Sequence, residues 1–109
     1  MHPYVLLGLA IAAEVVGTAA LKASDGMSKW GPTAFVIVGY GLAFWLLSRV
    51  LQSLPVGMVY AIWSGLGVAA IAVIGKFAFG EPITWAGALG MGLIIAGVTV
   101  LHLSQGTAA

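Results

Sequence analysis

The chain has 109 residues, of which 61% are hydrophobic and 6% charged, with four basic and three acidic side chains and a formal net charge of +1. Soluble domains carry roughly a quarter charged residues, so this composition places the protein in a membrane and excludes a polybasic surface for nucleic acid. With no cysteine, disulfides, thiolate nucleophiles and thiolate metal sites are excluded as well.

A hydrocarbon core about 30 Å thick requires about 20 apolar residues per helical span. Four runs meet this requirement and predict helices over 4–21, 33–51, 58–79 and 85–103, within a single transmembrane domain over residues 1–109 that leaves nothing for a soluble domain. The runs are too long for barrel strands and lack sustained alternation, so the fold class is an all-α membrane protein.

In the first run Ala10-Ile11-Ala12 has the form of a signal-peptide cleavage site. No Lys or Arg precedes it and apolar sequence resumes after Glu14, so the run is read as a span. Every charged side chain except Glu14 lies in a connection or near a span end, whereas Glu14 lies roughly 10 Å from the Leu21 end of its run at about 1.5 Å per residue. An ionised acid at mid-membrane costs about 2.5 to 3.5 kcal/mol even on a lenient scale. Loss of hydration favours the neutral acid, so Glu14 is expected to take up and release protons during normal operation. It could also hold a cation, and a carboxylate engaged by one is poorly placed to hold the other. That competition is the minimum chemistry of a proton/cation exchanger. The bland alternative is a neutral Glu14 that only glues helices together, yet intramembrane acids are functional by default and no other charge lies at this depth. Ala10, Gly17 and Thr18 share the Glu14 face at helical spacing. Such small residues either let a helix pack close or leave room for a ligand.

Ser24-Asp25-Gly26 and Gly31-Pro32 bracket the first connection. In the second span Tyr40, Phe44 and Leu47 share one face. Pro55-Val56-Gly57 makes the second connection, after which Tyr60 and Trp63 share a face of the third span. Aromatic faces attract organic cations, and a tyrosine hydroxyl can bond a carboxylate; an interfacial belt or ordinary packing is the rival use. Gly65-Leu66-Gly67 predicts a kink or hinge in the third helix. Gly80-Glu81-Pro82 makes the third connection, and Gly87, Gly90 and Gly97 form a small-residue stripe on the fourth span suited to close helix packing. His2 and His102 lie near the ends without metal-ligand spacing and are read as interfacial. Nothing resembles a nucleophile with its base, a phosphate loop or a paired-carboxylate site, so an enzyme is not expected, nor is a metal or other cofactor.

Lys22, Lys29 and Lys76 fall near one membrane face and Arg49 near the other, which favours both termini outside by a bias small enough to permit insertion both ways. The two halves show no internal repeat. Four helices are few to enclose a substrate path, so a transporter of this size needs a second copy.

Residues PYVLLGLAIAAEVVGTAALK, GYGLAFWLLS, LPVGMVYAIWSGLG and GALGMGLIIAGV, in this order and at these distances, resemble the successive signatures of the small multidrug resistance transporters, most closely the quaternary-ammonium exporters. The resemblance implies an antiparallel, dual-topology homodimer in the bacterial inner membrane that exchanges protons for hydrophobic organic cations. It makes Glu14 the shared proton and substrate carboxylate. Ala10, Gly17 and Thr18 would line the site, with Tyr40, Phe44, Tyr60 and Trp63 as aromatic walls. Gly65 and Gly67 would permit the kink, and Gly90 to Val98, Gly97 included, would match the dimerisation segment. Lys22 fits the basic residue that ends helix one. Guanidinium exporters of the family typically carry a tryptophan three residues after the acid, where this chain has Gly17; this favours a roomier site for bulky cations. A guanidinium or polyamine exporter, a heteromer with a partner encoded elsewhere, a passive channel and a non-transporting assembly subunit are the alternatives.

Overall fold

The computed structural model describes residues 2–107, with side-chain surroundings as far as Ser104. It contains four α-helices in chain order: α1 Pro3–Ala23, α2 Trp30–Val50, α3 Val56–Phe79 and α4 Trp85–Thr107. All four are long and apolar enough to cross a membrane, with mean hydropathies of 1.9, 1.6, 1.9 and 1.9. Helices satisfy their own backbone groups, which hydrocarbon cannot do.

The helix ends differ from the sequence reading where turn residues belong to the helix itself. Gly31 and Pro32 lie in the first turn of α2, three residues before the expected start. Proline is tolerated there because the first amides of a helix have no intrahelical acceptor to lose. Val56 and Gly57 open α3 in the same way behind Pro55 as N-cap. At its far end α4 continues past residue 103 to Thr107.

The connections are held locally. His2 caps α1, its Nδ1 accepting from the Tyr4 amide at 3.2 Å, and the two rings stack at 5.7 Å. After α1, Ser24 is completely buried; its hydroxyl donates to the Leu21 carbonyl at 2.7 Å and accepts from the Met27 amide at 2.9 Å. Around that hydroxyl Asp25, Gly26 and Met27 all take positive φ, at 51°, 71° and 65°. α3 stops at Gly80, whose φ of 68° reverses the chain so that the Glu81 amide donates to the Gly75 carbonyl at 2.9 Å. Thr84 caps α4 by accepting from the Gly87 amide at 2.9 Å.

The helices form two compact units, α1 with α2 up to Leu54 and α3 with α4 from Pro55. In the first unit Leu7, Ala10, Ile11 and Val15 of α1 are buried, as are Val36, Ala43, Leu46 and Val50 of α2. The closest approach is at Gly39, where a Cβ would stand 2.9 Å from the Ala13 carbonyl oxygen and 3.0 Å from the Gly17 Cα. Lipid supplies no hydrophobic drive between helices, so such backbone contact is a main source of attraction.

In the second unit α3 is helical without interruption through Gly65 and Gly67. Gly65 seats Val98 of α4: a Cβ there would stand 2.7 Å from the Val98 Cγ2 and 3.5 Å from the Ile94 Cγ2. Of the described residues of α4 none is buried. Charges at the span ends lie against aromatic rings, the Arg49 guanidinium 5.9 Å from the Trp45 ring centre and the Lys76 Nζ 5.7 Å from that of Phe77. Long basic side chains anchor helix ends in this way while reaching for headgroups.

These two glycine contacts predict different rescue behaviour. Gly65→Ala should destabilise by about 1–3 kcal/mol through overpacking and be largely restored by Val98→Ala in the same chain. Gly39→Ala meets backbone, so no side-chain truncation should restore it. Denaturant unfolding in detergent, followed by circular dichroism, measures both; equal rescue at the two positions would contradict the packing described.

Candidate functional site

Glu14 lies in the middle of α1, about 16 Å from its start and about 13 Å from its end at 1.5 Å per residue. Its side chain is half-buried, and the remaining charged residues of the described chain stand in connections or in last turns of helices. One turn on, the Thr18 hydroxyl donates to Glu14 Oε1 at 3.3 Å. The same Thr18 oxygen lies 2.7 Å from the Tyr40 hydroxyl of α2. The acid thus heads a chain of three polar groups, Glu14–Thr18–Tyr40, that crosses from one helix to the next.

Tyr40 reaches Thr18 over Gly17, where a small residue leaves room for the ring. A Cβ at Gly17 would stand 3.5 Å from Tyr40 Cδ2 and 3.6 Å from Cε2, so the phenol ring lies across the helix at that point. Gly39, beside Tyr40, brings the two backbones close enough for the ring to span them. The sequence pattern left open whether the small residues beside Glu14 serve packing or ligand room. At Gly17 the ring of Tyr40 lies within contact range of the helix, and Ala10, one turn before the acid, is completely buried.

Phe44, one turn beyond Tyr40, is 65% exposed. In the second unit Tyr60 is 75% exposed and Trp63 half-buried, and at three-residue spacing they share a face of α3. Gly67 lies one turn beyond Trp63, and a Cβ there would stand 3.9 Å from the Trp63 Cδ1, in ordinary contact with the indole. Gly90 and Gly97 on α4 face open space. Among the described residues no three His, Asp or Glu side chains converge as metal ligands. A surface pocket of about 200 Å³, lined by Lys76, Ile83, Thr84, Trp85 and Ala88, lies at the turn between α3 and α4 and includes none of the candidate proton- or substrate-binding residues. Gly39 and the Thr18–Tyr40 bond were not anticipated, because a pairing between helices leaves no mark in either helix's own periodicity.

Comparison with known proteins gives this arrangement a context. A family profile described as "Small Multidrug Resistance protein" matches residues 2–94. The chain belongs to the small multidrug resistance family. It is 50% identical over 103 residues to the quaternary ammonium compound-resistance protein QacE of Escherichia coli, covering 94% of each chain. With the multidrug transporter PA4990 of Pseudomonas aeruginosa it shares 52% over 103 residues, again 94% of each. The multidrug resistance protein EbrA of Bacillus atrophaeus is 44% identical over 99 residues, 91% of this chain and 94% of the relative. As a member of this family with four spanning helices, the protein is a multi-pass drug efflux transporter of the bacterial inner membrane and not an enzyme.

The geometry at Gly17 predicts a size limit. Gly17→Ala makes only ordinary contact with the ring and should leave stability within about 1 kcal/mol of the parent. Gly17→Trp should drive Tyr40 from Thr18. Nuclear Overhauser contacts between the Tyr40 ring and Thr18, present in the parent and in Gly17→Ala but lost in Gly17→Trp, check the arrangement.

Proposed function

We propose that the protein exports hydrophobic, quaternary-ammonium-type organic cations in exchange for protons, as an antiparallel homodimer whose two Glu14 carboxylates share one chamber. The observation that carries this reading is an acid at mid-span whose hydrogen-bond partner among the described groups is a neutral hydroxyl, that of Thr18. Such a carboxylate can exchange a proton for a cation, whereas a permanent ion pair would have to be broken first. The relatives' names support the substrate class, since QacE is named for resistance to quaternary ammonium compounds. Tyr40, Phe44, Tyr60 and Trp63 supply the aromatic faces that attract lipophilic cations.

Several features fit a second copy. No described residue of α4 is buried, and Gly90 and Gly97 on it are open to close approach by another helix. The basic residues are few and stand at span ends, which fits insertion in both orientations. In the proposed cycle a proton or a cation occupies the chamber, and exchange of the two protomers' conformations turns it to the opposite side. Gly65 and Gly67 supply the flexible point in α3, and the Gly65–Val98 seat is the contact that such bending must respect. Inward proton flow then drives cation export, because the two species compete for the same carboxylate.

Proteoliposomes loaded against a proton gradient test this reading. Glu14→Gln should abolish gradient-driven uptake of tetraphenylphosphonium, and retained uptake would refute the assignment. Glu14→Asp should keep part of the transport with a displaced pH profile, because the shorter side chain changes both reach and surroundings. The same assay with guanidinium and a polyamine separates the substrate classes, while opposing gradients distinguish obligatory exchange from a passive channel or an inert subunit. Trp63→Ala should weaken binding of a planar aromatic cation by about ten-fold, from a cation–π contribution of about 1–2 kcal/mol. Unchanged affinity in folded protein, read by isothermal titration, would assign Trp63 to the membrane interface instead.

A further inference from the structure

The polar chain from Glu14 to Tyr40 has a direction, and counting its hydrogens shows that the direction depends on the protonation of the acid. A threonine hydroxyl has one hydrogen to donate, and an ionised carboxylate only accepts. When Glu14 is ionised, the 3.3 Å contact requires the Thr18 hydrogen to point at Oε1. The 2.7 Å contact between Thr18 and Tyr40 must then use the phenol's hydrogen. When Glu14 is protonated, its carboxyl can donate to Thr18, Thr18 can donate to Tyr40, and the phenol's hydrogen leaves the chain.

We propose that Thr18 and Tyr40 form a hydroxyl switch that reports the protonation state of Glu14 from α1 to the aromatic ring on α2. The inference rests on the reading of Glu14 as the exchanging acid. With the acid ionised the chain ends on a charge, which strengthens its hydrogen bonds, and the Tyr40 ring is held across Gly17. Proton uptake replaces this with neutral bonds and loosens the ring. A proton therefore excludes the cation twice, by neutralising the carboxylate and by releasing an aromatic wall of the site. Thr18 and Tyr40 act here as positioning residues for the acid.

No other ionisable side chain of the packed helix pair competes for this role. On α2, Arg49 lies over Trp45, about 13 Å along the helix from Tyr40, and Lys29 caps the opposite end, about 16 Å away. On α1, His2 and Tyr4 stack at the start, and Lys22 stands in the last turn, about 12 Å from Glu14.

The test uses the full-length protein labelled with fluorotyrosine. The chain has three tyrosines, and Tyr→Phe variants assign their signals. The Tyr40 fluorine resonance should move with pH at the midpoint at which protons displace tetraphenylphosphonium. Glu14→Gln and Thr18→Val should each stop that movement, and Thr18→Ser, which keeps the hydroxyl, should restore it. In the binding assay Thr18→Val removes a hydrogen bond to the charged form of the acid, so protonation becomes easier and half of the binding is lost about one pH unit higher. Tyr40→Phe should move the midpoint in the same direction by less, and should add nothing in a Thr18→Val background. If Thr18→Val does not fold, Tyr40→Phe against the parent reads the chain from its other end, and an unmoved midpoint there overturns the proposal. So would a Tyr40 resonance that still titrates in Thr18→Val, or additive shifts in the double variant. Those outcomes with transport still abolished by Glu14→Gln sink the switch alone; transport surviving Glu14→Gln sinks the exchange reading beneath it.

Discussion

A polar group inside a bilayer must find its partner in the protein, because hydrocarbon offers none, and both the helices and the site follow from that condition. It makes every span a helix. It also removes the hydrophobic drive that would hold helices together in water, so that attraction must come from atoms in close contact. The acid of α1 is the most demanding case. Its nearest partner is the threonine one turn away, and that hydroxyl is in turn engaged by a phenol from the neighbouring helix.

The two helix pairs meet this condition differently. α1 and α2 approach backbone to backbone at Gly17 and Gly39, and the contact that packs them is the one that lays Tyr40 across α1. Packing and polar satisfaction are one arrangement there, so a change in either is felt by the acid. α3 and α4 meet through side chains, Val98 and Ile94 at the notch of Gly65, and no described residue of α4 is buried. A side-chain contact can slide or be relieved by a smaller residue, which a backbone contact cannot.

Much of this was legible in the sequence because length and hydropathy are local quantities. They place the four spans, and the boundaries differ by two or three residues where helix and turn use the same residues: Gly31-Pro32 and Val56-Gly57 look like punctuation but form first turns. Glu14 stood out by its charge and Thr18 by its spacing. Tyr40 was picked for its ring, whereas its hydrogen bond to Thr18 depends on how two helices register against each other. That register is set at Gly39, an unremarkable glycine among the 16 of the chain until the Ala13 carbonyl is found against it. The contact of Tyr40 with Gly17 likewise depends on that register and leaves no mark in the pattern of small residues beside Glu14.

The turn built on buried Ser24 has a consequence for synthesis. Three successive left-handed residues around one hydroxyl bring α1 and α2 together through a connection of six residues, 24–29, so everything that Thr18 and Tyr40 do for Glu14 is encoded in the unit that ends at Leu54. The ribosome completes that unit first. As a helical hairpin it can enter the membrane with its acid already engaged.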